Sequence, residues 1–416
     1  MLKMTDAEIR TLVETAVRET PVTDIHTHLC PPSFGSLCLW GIDELLTYHY
    51  LIAETFRWVE LPYEHFWSMS KREQADLIWQ TLFIEHSPVS EACRGVLTTL
   101  ECLGLDTAAR DLEAYRRFFA AASAEQIVDS VFHLGGIRDV VMTNDPFDNA
   151  ERPLWEAGLQ PDPRFKTALR LDALLNNWPA AWPRLREWGY AVEEALTDNT
   201  LAEVRRFLTE WIARLDALYL AVSLPPDFRM PEDSPRGRLI ADAVLPVSFE
   251  LNRPLAMMIG VKRQVNPALR MAGDGLDRSN LASVEHLCAT YPCNKFMVTL
   301  LAREDQHALG VAARKFRNLL PFGCWWFLNN PSLIDEITRM RLELLGLSMI
   351  PQHSDARVTE QLLYKWEHSR RVVGRVLVDK YTDLATTGWR PTEAEIRRDV
   401  DDLFGGAFRA FLERRL

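Results

Sequence analysis

Short apolar runs recur along the chain, with helix-length amphipathic stretches between them. The runs occupy 21–29, 139–145, 165–172, 218–224, 254–261, 295–301, 320–328 and 347–355. Most are nearly continuous in apolar side chains, the pattern of strands buried on both faces in a parallel sheet. The pattern also predicts an opening helix at 5–19, and the spacers carry amphipathic segments such as 199–214, 236–250, 303–317 and 331–345. Eight such units predict an α/β fold of the (β/α)8 TIM-barrel kind. A doubly wound open sheet shares this periodicity and differs only in closure. No Gly-rich dinucleotide fingerprint follows any strand, which weighs against a Rossmann fold.

One interval breaks the rhythm. After the first run, helical patterns follow one another at 42–58, 71–85, 89–103, 108–120 and 123–133. That is too long for a plain crossover. It reads as a helical insertion, 30–133, on the first strand-to-helix connection, at the end of a barrel where chemistry sits. Residues 1–29 and 134–416 then make the barrel, completed by a long helix bearing Arg370-Arg371 and a last helix near 392–414.

Composition narrows the function. With 416 residues, 47% of them hydrophobic, the chain can bury a large core. The net charge of −11 and the lack of a dense Lys/Arg cluster weigh against nucleic acid as a partner. No apolar run reaches the roughly 18 residues of a membrane span. The amphipathic, acidic start (Met1 to Arg10) is a poor secretory signal. Seven cysteines without a CxxC read as reduced thiols of a cytoplasmic protein.

The chemistry gathers at the strand ends. His26-Thr27-His28 closes the first run, and alternate strand residues share a face, so two imidazoles are offered to one metal ion. Asp355 ends the eighth run, which neighbours the first in a closed barrel, and could complete a two-imidazole, one-carboxylate site for a divalent ion. The alternative for Asp355 is a helix N-cap, since a helical pattern follows. Asp24 is either an orienting partner for the histidines or a backbone-bonding residue. Arg170 and Arg357 stand at the mouth and favour an acidic small substrate. Of Trp325 and Trp326, one is expected in the core and one in a pocket wall. Asp145-Pro146 reads as a turn.

Six ordered motifs then resemble one family: His26-Thr27-His28-Leu29, Tyr48-His49-Tyr50, Thr143-Asn144-Asp145-Pro146, Leu169-Arg170-Leu171-Asp172, Gly323-Cys324-Trp325-Trp326-Phe327 and His353-Ser354-Asp355-Ala356-Arg357. Over essentially its whole length the chain resembles the uronate isomerases of the amidohydrolase superfamily, most closely their shorter bacterial branch. The resemblance implies a barrel of the metal-dependent hydrolase type. It also implies aldose–ketose isomerisation: D-glucuronate to D-fructuronate and D-galacturonate to D-tagaturonate. It puts one divalent ion, commonly zinc, on His26, His28 and Asp355, and assigns Arg170 to clamp a polar end of the open-chain sugar, with Trp325 and Trp326 beside it. Asp355 becomes the initiating base, Tyr50 the proton shuttle with His49 beside it, and Arg357 the stabiliser of enediolate charge. For Tyr50 the residues alone suggest only a buried aromatic stripe.

The chain also departs from its superfamily. Strand four lacks the bridging Lys of many hydrolases, and strands five (Ala256-Met257-Met258-Ile259-Gly260) and six carry no His, although His307 follows on the next helix. These absences disfavour a binuclear centre. A mononuclear hydrolase of an acidic amide or lactone is the second reading. A large barrel of this kind is compatible with a homo-oligomer.

Overall fold

A computed structural model describes residues 5–416. Its first helix, Asp6–Glu19, starts at a capping box in which the Thr5 hydroxyl accepts from the Glu8 N–H and the Glu8 carboxylate accepts from the Thr5 N–H. The buried stripe of that helix, Ile9, Val13, Ala16 and Val17, lies against the long helix Gln361–Thr386.

Seven parallel strands follow in sequence order: β1 (Val22–Thr27), β2 (Ile137–Asn144), β3 (Phe165–Arg170), β4 (Leu220–Leu224), β5 (Leu255–Ile259), β6 (Phe296–Leu300) and β7 (Leu319–Pro321). Each strand pairs with its neighbour in sequence, and helices fill the connections, so the parallel sheet curls. The eighth run differs from its expectation. Residues 347–355 form no strand but one bridge, Phe322 to Ile350. Pro351 lacks the N–H a ladder needs, and the Cys324 N–H donates to the Gln352 side chain instead of a strand carbonyl. This segment also bonds the opposite edge of the sheet: the Asp355 N–H donates to the His26 carbonyl (3.2 Å), and the His28 N–H to the Ala356 carbonyl (2.8 Å). The seventh run is likewise shorter than expected, because Gly323 (φ 66°) and Trp326 (φ 47°) turn the chain out of the sheet.

Two large apolar layers result, with a small third cluster of Cys324, Leu328, Ile334, Ile337, Val372 and Val376 beside them. The larger lies between strands and helices. The smaller lies on the concave side of the sheet: Ile25, Val141, Ala168, Ala221, Met258 and Met297, with Phe408 and Phe411 of the last helix, Ala407–Glu413, among them. That helix is pinned at the amino ends of the strands by Lys295, whose ammonium donates to the carbonyls of Phe411 (3.1 Å), Leu412 (2.6 Å) and Arg414 (3.0 Å).

Between β1 and β2 the predicted helices are present with breaks. The segment 42–58 splits into Ile42–Leu46 and His49–Thr55, with extended Tyr48 at the junction. The sequence pattern gave no hint of the small hairpin Val261–Lys262 with Gly275–Leu276. Its loop reaches the insertion helices, where the Trp67 indole donates to the Ala268 carbonyl (2.8 Å) and the Arg270 guanidinium lies over the Trp67 ring.

Candidate active site

His26 and His28 leave the carboxyl end of β1, and Asp355 comes from the segment bonded beside it. Asp355 Oδ1 stands 3.2 Å from His28 Nε2 and 3.6 Å from His26 Nε2. One donor atom from each residue lies within 4.8 Å of the others. Two donors held about 2.0–2.1 Å from one tetrahedral ion lie about 3.3 Å apart, so the spacing fits a shared divalent cation. A register shift between Asp24 and Thr27 lets consecutive residues, Ile25 and His26, both face the concave interior. Asp355 itself has φ 54° and lies outside the helix that starts at Gln361, so it is not the cap of that helix.

The outer hydrogen bonds set both tautomers. The Tyr219 hydroxyl donates its one proton to the Ile25 carbonyl (2.7 Å), so at 3.3 Å it accepts from His26 Nδ1. Thr143 does the same for His28: its hydroxyl donates to the Thr27 carbonyl (3.1 Å) and meets His28 Nδ1 at 2.8 Å. Each imidazole then carries its proton on Nδ1 and presents the Nε2 lone pair to Asp355. Burial keeps both rings neutral, holding His26 down at about 3 and His28 well below the usual imidazole value; Arg170 and Arg357 push both the same way. His26 Nε2 and Asp355 Oδ1 have no hydrogen-bond partner although buried. Neutral nitrogens, a carboxylate oxygen and unmet bonding capacity fit a metal ligand set.

Around this set stand the other residues singled out in the sequence. The guanidinium of Arg170 grips Asp172, with Nε 3.0 Å from one carboxylate oxygen and Nη2 donating to the other (3.1 Å). His49 and Tyr50 bring their rings to 4.5 Å, and His49 meets Trp326 at 5.4 Å. His49 Nε2, the Tyr50 hydroxyl and Trp326 Nε1 are buried without partners. Burial raises the Tyr50 phenol well above its usual value and holds His49 at about 3. Arg357 joins Tyr48 and His49 in lining a cavity of about 380 Å³ that opens past Trp67 and Arg270. Trp325 is buried in the concave-side core, and Trp326, partly buried, packs against that core and against the His49 ring. A larger cavity, about 610 Å³, lies by Gly135 and Gly136, before β2 begins, and so away from the strand ends that carry the ligand set. Asp24 bonds the Ser354 N–H (3.1 Å), the Trp366 indole (2.8 Å) and the His26 N–H (3.5 Å), tying backbone segments together and touching neither imidazole ring. Asp145 accepts from the Phe147 N–H (2.8 Å) and so makes a turn.

Comparison with known structures decides the family. A crystal structure of a uronate isomerase from Bacillus halodurans C-125 is 57% identical, covers 99% of this chain and 98% of its own, and superposes with a TM-score of 0.98. The chain belongs to the uronate isomerase family. Two more distant members superpose over 99% of the chain and share the fold. A uronate isomerase from Thermotoga maritima has a TM-score of 0.78 at 15% identity, with 100% of that chain covered. A glucuronate isomerase from Caulobacter crescentus has 0.70 at 16%, with 95% covered. No protein-family model and no curated protein matches the sequence.

Sequence reasoning assigned no role to several residues around this candidate site. Thr143 lay inside a quoted motif, but its role needs the β1–β2 register. Tyr219 sat in an ordinary apolar run. His353, buried with both ring nitrogens unpartnered, packs on His26 at 5.3 Å. Lys365 is a buried lysine within an apolar helical stretch, and that interruption was its only signal.

Proposed function

We propose that the protein interconverts aldohexuronates and their 2-keto isomers, D-glucuronate with D-fructuronate and D-galacturonate with D-tagaturonate. One observation carries this reading: a His26–His28–Asp355 donor set, with His26 Nε2 and Asp355 Oδ1 unpartnered, shares its surroundings with two arginines and a buried phenol. His26, His28 and Asp355 would hold one divalent ion, for which zinc suits two imidazoles and a carboxylate, and which when bound supplies positive charge to the oxygens of the acidic sugar.

The remaining work falls to side chains. Arg170, held in place by Asp172, offers its planar fork to a carboxylate or polar end of the open-chain substrate. Asp355 is placed to take the C2 proton and return it to C1. Tyr50, protonated at neutral pH because burial disfavours its anion, gives a proton to O1 and takes one from O2. Arg357 opposes the negative charge that grows on the enediolate. The His49–Trp326 wall excludes water from that intermediate.

The same reading extends to the architecture. Segment 347–356 takes the eighth position and closes the barrel of residues 1–29 and 134–416. Residues 30–133 are an insertion that supplies Tyr48, His49 and Tyr50. The seven free cysteines support a cytoplasmic location, and no helix among the described residues is long and apolar enough to cross a membrane.

The test is turnover of both uronates, read by chromatography, for protein stripped of metal and then reloaded with zinc. Ketose should form only after reloading, and Asp355→Asn should abolish it. Absence of ketose from either sugar with zinc bound would reject the proposal.

A further inference from the structure

The longest helix, Gln361–Thr386, places a lysine among apolar neighbours. Lys365 is 1% exposed, between buried Leu362, Leu363, Tyr364 and Trp366. No hydrogen bond or ion pair among the described residues reaches its ammonium. Its Nζ stands 5.5 Å from the centre of the Tyr50 ring and 5.7 Å from that of Tyr364. Asp355, Glu91 and Asp24 face it from a distance and favour its charge, yet burial outweighs them and brings it down to about 8. His49 and His353 are neutral neighbours that feel its charge. A buried ammonium without a carboxylate in contact costs stability, so its place at the site calls for a use other than folding.

We propose that Lys365 is a positioning residue that acts through Tyr50, its ammonium steadying the negative charge the Tyr50 ring carries while a proton is in transit. The inference rests on Tyr50 being the shuttle of the proposed isomerisation. In the forward direction the C2–H bond breaks to the base, the C1=O π bond opens, and Tyr50 gives its hydroxyl proton to O1. Tyr50 then takes the O2 proton as the C2=O bond forms and C1 receives its proton from the base, so the phenol is restored. Between those two transfers Tyr50 is a phenolate in a buried place that disfavours it. A cation over an aromatic face attracts the neutral ring and, by Coulomb's law, attracts the anionic ring more strongly. Lys365 and the Tyr50 hydroxyl are both buried, so solvent screens that attraction less than at a surface.

The experiment compares zinc-loaded parent, Lys365→Met, Lys365→Arg, Tyr50→Phe and the Lys365→Met/Tyr50→Phe double variant. In Lys365→Met, kcat should fall about 30-fold or more, the rate equivalent of a desolvated cation–π contact, while KM holds. Its thermal midpoint should equal or exceed the parent's, because a lone buried charge has gone. Lys365→Arg should recover part of kcat. Added to Tyr50→Phe, the Lys365→Met change should cost no further rate. Loss of the same factor in both backgrounds, a thermal midpoint that falls together with kcat, or an unchanged kcat would each overturn the proposal. If Lys365→Met does not fold, Lys365→Gln stands in with the same kinetic expectations. A parent that converts no uronate rejects the isomerase reading and this inference with it; an active parent beside an unimpaired Lys365→Met rejects only the role of Lys365.

Discussion

Two hydroxyl groups decide which imidazole nitrogens face Asp355. The Tyr219 and Thr143 hydroxyls each commit their proton to a backbone carbonyl and accept from a histidine Nδ1. Thr143→Val should therefore weaken zinc binding about 10–100-fold, as loss of such supporting partners does. Competition against a chromophoric chelator measures this, and parent-like affinity would contradict the tautomer assignment. Gly323 is a second decisive residue. At φ 66°, a Cβ there would lie 1.8 Å from His353 Nδ1. Gly323→Ala should destabilise the fold by about 2 kcal/mol or more, read by urea unfolding, through overpacking and a left-handed backbone. At this scale the sequence was legible where chemistry is local: His26, His28 and Asp355 stand out by residue type and strand position. It was illegible where function depends on a neighbour across the sheet, as with Thr143 and Tyr219. Only the positive φ of Trp326 and the burial of Trp325 separate the two tryptophans.

Among the elements, the last helix has the clearest structural role. Phe408 is buried among the concave-side core residues, with its ring 6.1 Å from that of Tyr219. Phe408→Ala should cost about 3–5 kcal/mol in urea unfolding, the usual range for a buried phenylalanine. A loss under 1 kcal/mol would mean the helix merely rests on the sheet. Continuous apolar runs revealed seven strands because parallel strands buried on both faces need no polar alternation. The eighth run misled because apolar composition does not register the missing donor of Pro351. Insertion helices were legible from amphipathicity, their breaks less so. The hairpin at 261–276 escaped because two-residue strands leave no periodicity to read.

For the molecule as a whole, buried ionisable groups tie stability to pH. His26, His28, His49 and His353 are held neutral by burial, His26 and His49 at about 3. Unfolded, each would take up a proton below about 6.5, so acidification favours the unfolded state. Asp24, raised to about 6, and Glu360, raised to about 7, act in the opposite sense, since they hold protons in the folded state that unfolding releases. Burial raises Asp145 and Glu151 as well, whereas the Arg-paired Glu113, Asp162 and Asp335 are held low and act with the four imidazoles, so the unfolded chain takes up the larger share of protons on acidification. Metal-free protein should then lose stability as the pH falls from about 6.5 toward 4.5. Urea unfolding at several pH values checks the slope, and a flat profile would contradict the neutral-imidazole account.

The most direct test of the central claim is a proton NMR time course of zinc-loaded protein with D-glucuronate in D2O. Ketose signals should grow as substrate signals fall, with deuterium entering C1 to the extent that the transferred proton exchanges with solvent. No ketose from D-glucuronate or D-galacturonate, beside hydrolysis of an acidic lactone or amide by the same preparation, would contradict the isomerase and point to a hydrolase.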